Sequence, residues 1–290
     1  MFERVLICTD FTDGLHRLLH FVPSLGAAGI KQIVFLHVVP LWEKGIIPQV
    51  DSEKIEQAQT RLAKDFGDIS TDVDVNIEVQ SGKASDTILK VAQAYQSQLI
   101  ILGSPNRSSI AEKLAGSTMA GLSRQSKIPL LIVRPQLISA YTSEELTLRC
   151  QHLFRSLLIP YNDSQVSNSL VQQIKNLAQQ QSDMFLQKCH LCWVLETNIS
   201  QKIPSKILPP QAHEILSQIK ADLEKVNLQV ETEVREGNSV PQVLETAIMA
   251  DISAIAISSG TIGKLQEWLV SSFAAEILRQ SWYPVLFFPS

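Results

Sequence analysis

Cysteine is scarce in this chain, with four residues in 290, and that number does not make a disulfide framework. Long apolar runs are lacking as well. The most apolar stretch, Ile33 to Val39, has Lys31 and Gln32 before it and Pro40 after it. No segment approaches the ~18 apolar residues of a membrane span, so no membrane partner is expected. The apolar run that opens the chain stops at Asp10, too short for the apolar region of a signal peptide, and a cytoplasmic protein is expected. Nor is there an excess of basic charge. Lys and Arg number 25 against 29 Asp and Glu, a net −4, which offers no broad basic face and argues against a nucleic-acid partner. Glycine and proline, 12 and 13 residues, are too few for a low-complexity or fibrous chain. What remains is 45% hydrophobic and 19% charged, the composition of a globular protein with a core. The length suggests two domains at roughly 150 residues each.

The chain repeats itself. Residues 78–92 read EVQSGKASDTILKVA and residues 233–247 read EVREGNSVPQVLETA, aligned without a gap at an offset of 155 with five of 15 positions identical. Roughly one identity is expected from average residue usage. Val5 to Asp10 matches Leu157 to Asn162 at an offset of 152, and Ile128 to Pro135 matches Trp282 to Pro289 at 154. Near-constant offsets across a whole domain indicate duplication. The boundary lies near residues 136 to 152, a polar stretch readable as linker or short helix, and the capping-box spacing of Thr142 and Glu145 favours the helix.

Within one repeat, strands and helices alternate. Val5 to Cys8 is a short buried strand, and Leu15, Leu18, Leu19, Val22 and Leu25 then recur at helical spacing. Thr12 is a candidate N-cap for that helix, and Pro23 is placed to end or kink it. Ile33 to Val39 is a second strand, and Ile55, Ala58, Leu62 and Phe66 mark a second helix. Val73 to Val79 alternates strictly, as a half-buried edge strand does. Ile88, Val91, Ala92 and Tyr95 mark a third helix, Leu99 to Leu102 a fourth strand, and Leu130 to Val133 the last. The fold class is therefore α/β, a parallel sheet with helices on both faces, ligands being expected beyond the carboxyl ends of the strands.

After the fourth strand comes Gly103-Ser104-Pro105-Asn106, then nine residues, then Gly116-Ser117-Thr118 at the start of a helix. Glycines allow close approach of the backbone, and free N–H groups with Ser and Thr hydroxyls make an anion site. The spacing is neither a P-loop nor a dinucleotide GxGxxG, since Gly82-Lys83-Ala84 lacks the earlier Gly and the Ser or Thr after Lys.

This pattern, with Asp10 after the first strand, resembles the universal stress protein family, whose ATP-binding members carry Gly, two residues, Gly, nine residues, Gly and then Ser or Thr. The resemblance covers essentially the whole chain in two copies, 1–138 with a nucleotide site and 150–290 degenerate. It implies two tandem open parallel five-stranded sheets of order 3-2-1-4-5, adenine nucleotide alpha hydrolase-like. It also implies ATP or AMP as ligand, with or without Mg and not covalently bound. Thr9 and Asp10 would lie on the ribose or adenine side, and Val38 would meet adenine through its backbone. Gly103, Asn106, Gly116, Ser117 and Thr118 would follow ribose and phosphates. Self-association through the last strand of each repeat is implied too, as an internal pseudo-dimer that two chains could extend to a homodimer, along with a protein partner of unknown identity.

Repeat 1 departs from the pattern at Asn106, which stands for the second glycine; Asn tolerates the left-handed conformation but adds bulk near a phosphate. Repeat 2 departs further. Asn162 replaces the Asp, Ser258 stands for Gly103 and Val270 for Gly116, and Gly260 and Gly263 fall out of spacing. One nucleotide site in repeat 1 is the expectation.

Other candidates read as structural. Cys189-His190-Leu191-Cys192 lies in an apolar strand, where positions three apart face opposite ways, so no metal site is expected. His16 and His20 are one helical turn apart without an evident third ligand. His37 reads as a satisfied strand residue, Cys8 as structural, and Trp193, Trp268 and Trp282 as core or interface bulk. No nucleophile with a paired base is legible, so at most weak ATP hydrolysis is expected. An adenylating enzyme is disfavoured because its SGGxDS-type or HIGH-like loops are missing. The expected function is nucleotide-dependent regulation in the stress response by association; the alternative is a nucleotide-free tandem interaction scaffold.

Overall fold

Strand β1 (Arg4–Thr9) is buried along all but its first residue, with Leu6 and Ile7 at 0% exposure. Such a strand has no solvent-facing side, the pattern of a parallel strand covered on both faces. The computed structural model describes residues 1–12, 14–41, 49–67, 69–104, 118–180, 185–196, 208–258 and 272–289. They fall into two compact units, Phe2–Gln151 and His152–Phe288.

In the N-terminal unit β1 is followed by a 3-10 helix (Leu15–Phe21), α1 (Val22–Ala27), β2 (Gln32–Val39), α2 (Ser52–Phe66) and β3 (Asp74–Ser81). Then come α3 (Ala84–Ala94), β4 (Leu99–Gly103), α4 (Thr118–Gln125), β5 (Leu130–Val133), α5 (Pro135–Ala140) and α6 (Ser143–Gln151). β1 pairs with β2 and β4, β2 with β3, and β4 with β5, all parallel, which gives the order 3-2-1-4-5. Right-handed crossovers place the 3-10 helix, α1 and α2 on one face and α3 and α4 on the other. Gly121 marks the contact on that second face, since a Cβ there would lie 2.7 Å from Ser85 Cβ.

The C-terminal unit repeats the plan with β6 (Ser156–Pro160), α7 (Gln165–Gln179), β7 (Lys188–Glu196), α8 (Pro209–Glu224) and β8 (Gln229–Gly237). It continues with α9 (Ser239–Met249), β9 (Ala254–Ser258), α10 (Phe273–Gln280) and β10 (Val285–Phe288). β6 pairs with β7 and β9, β7 with β8, and β9 with β10, again parallel and again 3-2-1-4-5 in the repeat's own count. The glycine shared by the repeated segments has a backbone cause. Gly82 and Gly237 leave β3 and β8 at φ 149 and 130, where an L side chain is strained. No described helix is long and apolar enough to cross a membrane.

Some local expectations fail. Thr12 does not cap the first helix: Gly14, at φ 70, holds that position without a side-chain cap, because Thr12 is drawn back onto Asp10. Pro23 does mark a break in the expected helix: a 3-10 helix ends at Phe21 and α1 starts at Val22, with Pro23 in the first turn of α1, where its missing N–H costs nothing. For the segment after β5 the favoured reading, helix, holds: it forms α5 and α6, and Thr142 N donates to Glu145 Oε2 at 2.9 Å while Glu145 N donates to Thr142 Oγ1 at 3.3 Å. β3 is an edge strand as expected, but its exposure does not alternate: Val75, Asn76, Ile77 and Glu78 are all half-buried, and Tyr95 OH donates to Glu78 at 2.7 Å. Trp193 is core at 3% exposure, Trp282 is 51% exposed, and Trp268 lies outside the described residues.

Candidate functional site

β1 lies between β2 and β4, and the chain moves outward from it in both directions, so the topological switch point falls between β1 and β4. Thr9 ends β1, Gly103 ends β4 and Val38 is next to last in β2. The parallel registers bring these three residues to one carboxyl edge of the sheet. Thr9 is buried at 5%, whereas Val38 and Gly103 are half-buried and Asp10 is exposed.

The loop after β1 is held tightly. Asp10 Oδ1 accepts from Thr12 N and from Thr12 Oγ1, both at 2.8 Å, which closes an Asx-turn. Phe11 N donates to Thr9 Oγ1 at 3.1 Å. Phe11 itself adopts φ 65, a left-handed conformation that costs a bulky residue about 1–2 kcal/mol. Its ring has two close neighbours: His37 lies 4.4 Å away between centroids, and the Arg61 guanidinium stands 4.3 Å from the ring centre. His37 Nδ1 donates to the Thr9 carbonyl at 2.8 Å, so the proton of that contact sits on Nδ1.

At the end of β4, Ser104 N donates to Val133 O at 2.8 Å and continues the ladder one residue past the strand. The Ser104 hydroxyl is buried and has no hydrogen-bond partner among the described residues. A buried hydroxyl left unpaired costs about 1–3 kcal/mol, a cost relieved by a ligand that supplies an oxygen or nitrogen. Thr118 opens α4 and is partly exposed. Asn106, Gly116 and Ser117 lie outside the described residues. Among the described residues no three imidazole, thiol or carboxylate groups are placed to hold a metal ion.

The C-terminal unit fills the equivalent edge with aromatic side chains. By strand register, Tyr161 and Trp193 take the places of Thr9 and His37. The two rings meet edge to face at 5.4 Å and 75°, and each is 3% exposed. Tyr161 Oη lies 2.5 Å from Asn168 Oδ1 and 3.1 Å from Asp163 Oδ1. Burial, reinforced by the Asp163 carboxylate, pushes the Tyr161 hydroxyl well above the usual phenol range. Asn162 accepts from Ser164 N at 3.3 Å, so the turn survives, and Asp163 at φ 56 stands where Phe11 does. Ser258, at the Gly103 position, donates its hydroxyl to Phe288 O at 3.0 Å. Gly260, Gly263 and Val270 lie outside the described residues.

Cys189 and Cys192 both lie in β7, 0% and 1% exposed, and burial pushes their thiols up to about 12 and about 11. They are core residues of that strand. The motif spacing gave no hint of Phe11, Ser104 or Tyr161. The one available signal was the repeat alignment itself, which sets Tyr161 against Thr9 and so exchanges a small residue for a large ring at a strand end.

A family model described as the universal stress protein family matches residues 1–134 and again 153–289. A comparison with curated proteins finds no match. Among solved structures, a universal stress protein from Archaeoglobus fulgidus DSM 4304 is 18% identical, with a TM-score of 0.69 over 98% of this chain and 96% of its own. A protein assigned as a universal stress protein from Pseudomonas aeruginosa UCBPP-PA14 is 14% identical, with a TM-score of 0.54 over 98% and 92%. These likenesses establish the fold of the whole chain.

Proposed function

Because this chain belongs to the universal stress protein family, we propose that its N-terminal unit binds an adenine nucleotide, ATP or AMP, and that the protein acts in the stress response by association rather than turnover. The observation that carries this reading is the inequality of the two carboxyl edges. One presents Thr9, a turn closed on Asp10 and a buried Ser104 hydroxyl without a described partner; the other is filled by Tyr161 and Trp193. Asp10 serves the ribose or adenine side with Thr9 beside it, and Val38 meets the base through its backbone. Gly103, Asn106, Gly116, Ser117 and Thr118 follow ribose and phosphates, with N–H groups at the start of α4 as anion donors. The field at that helix end contributes only about 0.3–1 kcal/mol near the surface, so several aimed donors are needed, and the glycines let the backbone supply them. Mg, if it accompanies ATP, is held chiefly by the phosphates. Self-association through the last strand of each repeat belongs to the same reading, and sedimentation of the full chain tests it.

Titration calorimetry of the full chain with Mg-ATP and with AMP tests the nucleotide reading, alongside Asp10→Ala. The reading expects one site per chain, weakened at least about tenfold by Asp10→Ala. Absence of heat with either nucleotide would turn the assignment to a nucleotide-free interaction scaffold.

A further inference from the structure

A second concavity in the N-terminal unit adjoins the Phe11 loop through Arg61 but contains none of the residues assigned to the nucleotide. It is an open cleft between the 3-10 helix, α2 and α5, with a volume of about 330 Å³, and among the described residues it is lined by Gly14, His16, Arg17, His20, Arg61, Asp65 and Ser139. That volume is at the low end of small-molecule sites, which run from about 300 to 1,000 Å³. We propose that this cleft binds the phosphate group of a small phosphorylated metabolite.

The sign of the site comes first. Among the described lining residues, two arginines against one aspartate give +1 with both imidazoles neutral and +3 with both protonated. Three of the lining residues could ligate a metal, namely His16, His20 and Asp65, but among the described residues no three such groups converge. The 3-10 geometry is one cause, because at three residues per turn positions four apart are rotated by about 120°. The site is therefore cationic and suited to an anion.

Donor availability comes next. Arg61 has no ion pair among the described residues, although Asp65 follows it at the i, i+4 spacing where such pairs form. Its guanidinium lies over the Phe11 ring instead, a contact that leaves the N–H edge available. Among the described residues the Arg17 side chain hydrogen-bonds through Nη1, to Ile138 O at 2.6 Å and Tyr141 O at 2.9 Å, and its guanidinium lies 5.8 Å from the Phe21 ring centre, which fixes its position and leaves the other N–H groups without a described acceptor. His16 Nδ1 is buried without a hydrogen-bond partner among the described residues. Ser139, beside Gly14, adds a hydroxyl. Two guanidinium forks, two imidazoles and a hydroxyl provide more donors than a carboxylate can accept, and a phosphate dianion matches that number better. Glycine at position 14 lets the backbone lie against Ser139, since a Cβ there would be 2.6 Å from Ser139 Oγ.

Histidine ring resonances of the full chain, assigned with His16→Gln and His20→Gln, report the site directly, with inorganic pyrophosphate as the probe. Saturable shifts at His16 and His20 are expected. Arg61→Gln, an exposed helix position that tolerates glutamine, should weaken them at least about tenfold, and Ser139→Asp, which sets a carboxylate in the cleft, should abolish them. Asp10→Ala should leave them unchanged. Pyrophosphate binding lost with Asp10→Ala but kept with Arg61→Gln would place the anion in the nucleotide loop and overturn the cleft. Absence of shifts at His16 and His20, or equal shifts with chloride at matched ionic strength, would overturn it too, whether or not ATP binds elsewhere.

Discussion

Tyr161 meets Trp193 edge to face, 5.4 Å between centroids, at the carboxyl edge where the N-terminal unit has Thr9 and His37. Transplanting this pair tests what it does. Thr9→Tyr with His37→Trp is expected to lower nucleotide affinity of the full chain at least about tenfold by calorimetry, because two large rings then occupy the strand ends. In its own unit the pair is core. Trp193→Ala should cost about 3–5 kcal/mol in urea denaturation. An unchanged nucleotide affinity in the transplant would show that ring bulk at these positions does not control access.

Gly82 and Gly237 offer a graded backbone test. Both have positive φ, but a Cβ on Gly82 would lie 2.8 Å from Thr87 Oγ1, while at Gly237 the nearest atom is 3.6 Å away. Gly82→Ala is expected to cost about 1–3 kcal/mol and Gly237→Ala less, since only strain remains there. Urea midpoints of the two variants measure the difference. Equal losses would mean that Thr87 yields without cost.

The buried thiols set an alkaline limit. Burial raises Cys189 from 9.0 to about 12 and Cys192 to about 11. The native state then keeps protons that the unfolded chain releases above its own thiol pKa. Their contribution is complete below pH 9.0 and is lost as pH rises toward 11–12, by up to ~1.4 kcal/mol per pH unit and thiol. Urea midpoints taken at about pH 8 and about pH 10 should fall in wild type and fall less in Cys189→Ala with Cys192→Ala. Identical slopes in the two proteins would assign the alkaline loss to other groups.

Thr142 and Glu145 make the reciprocal capping box that their spacing announces, and Thr142→Ala should cost about 1 kcal/mol by thermal or urea unfolding. Such features are legible because they are local: three residues apart in sequence is one turn apart in space. The buried strands were legible for a related reason, since a continuous apolar run such as Ile33 to Val39 can only be covered on both faces. Around Asp10 the local code is ambiguous. Asp10, Thr12 and Gly14 are all turn or cap formers, and Thr12 closed on Asp10 while Gly14 took the cap. The features that shape the candidate site were silent in sequence because their partners come from distant elements. Phe11 is held by His37 and Arg61, and Ser104 is buried at a strand end whose cover depends on the whole sheet.

Nucleotide stoichiometry tests the account most directly. Calorimetric titration of the full chain with Mg-ATP should give one site, lost in Gly116→Val, which gives repeat 1 the residue that repeat 2 carries at Val270. Two sites per chain, or one site that survives Gly116→Val undiminished, would contradict it.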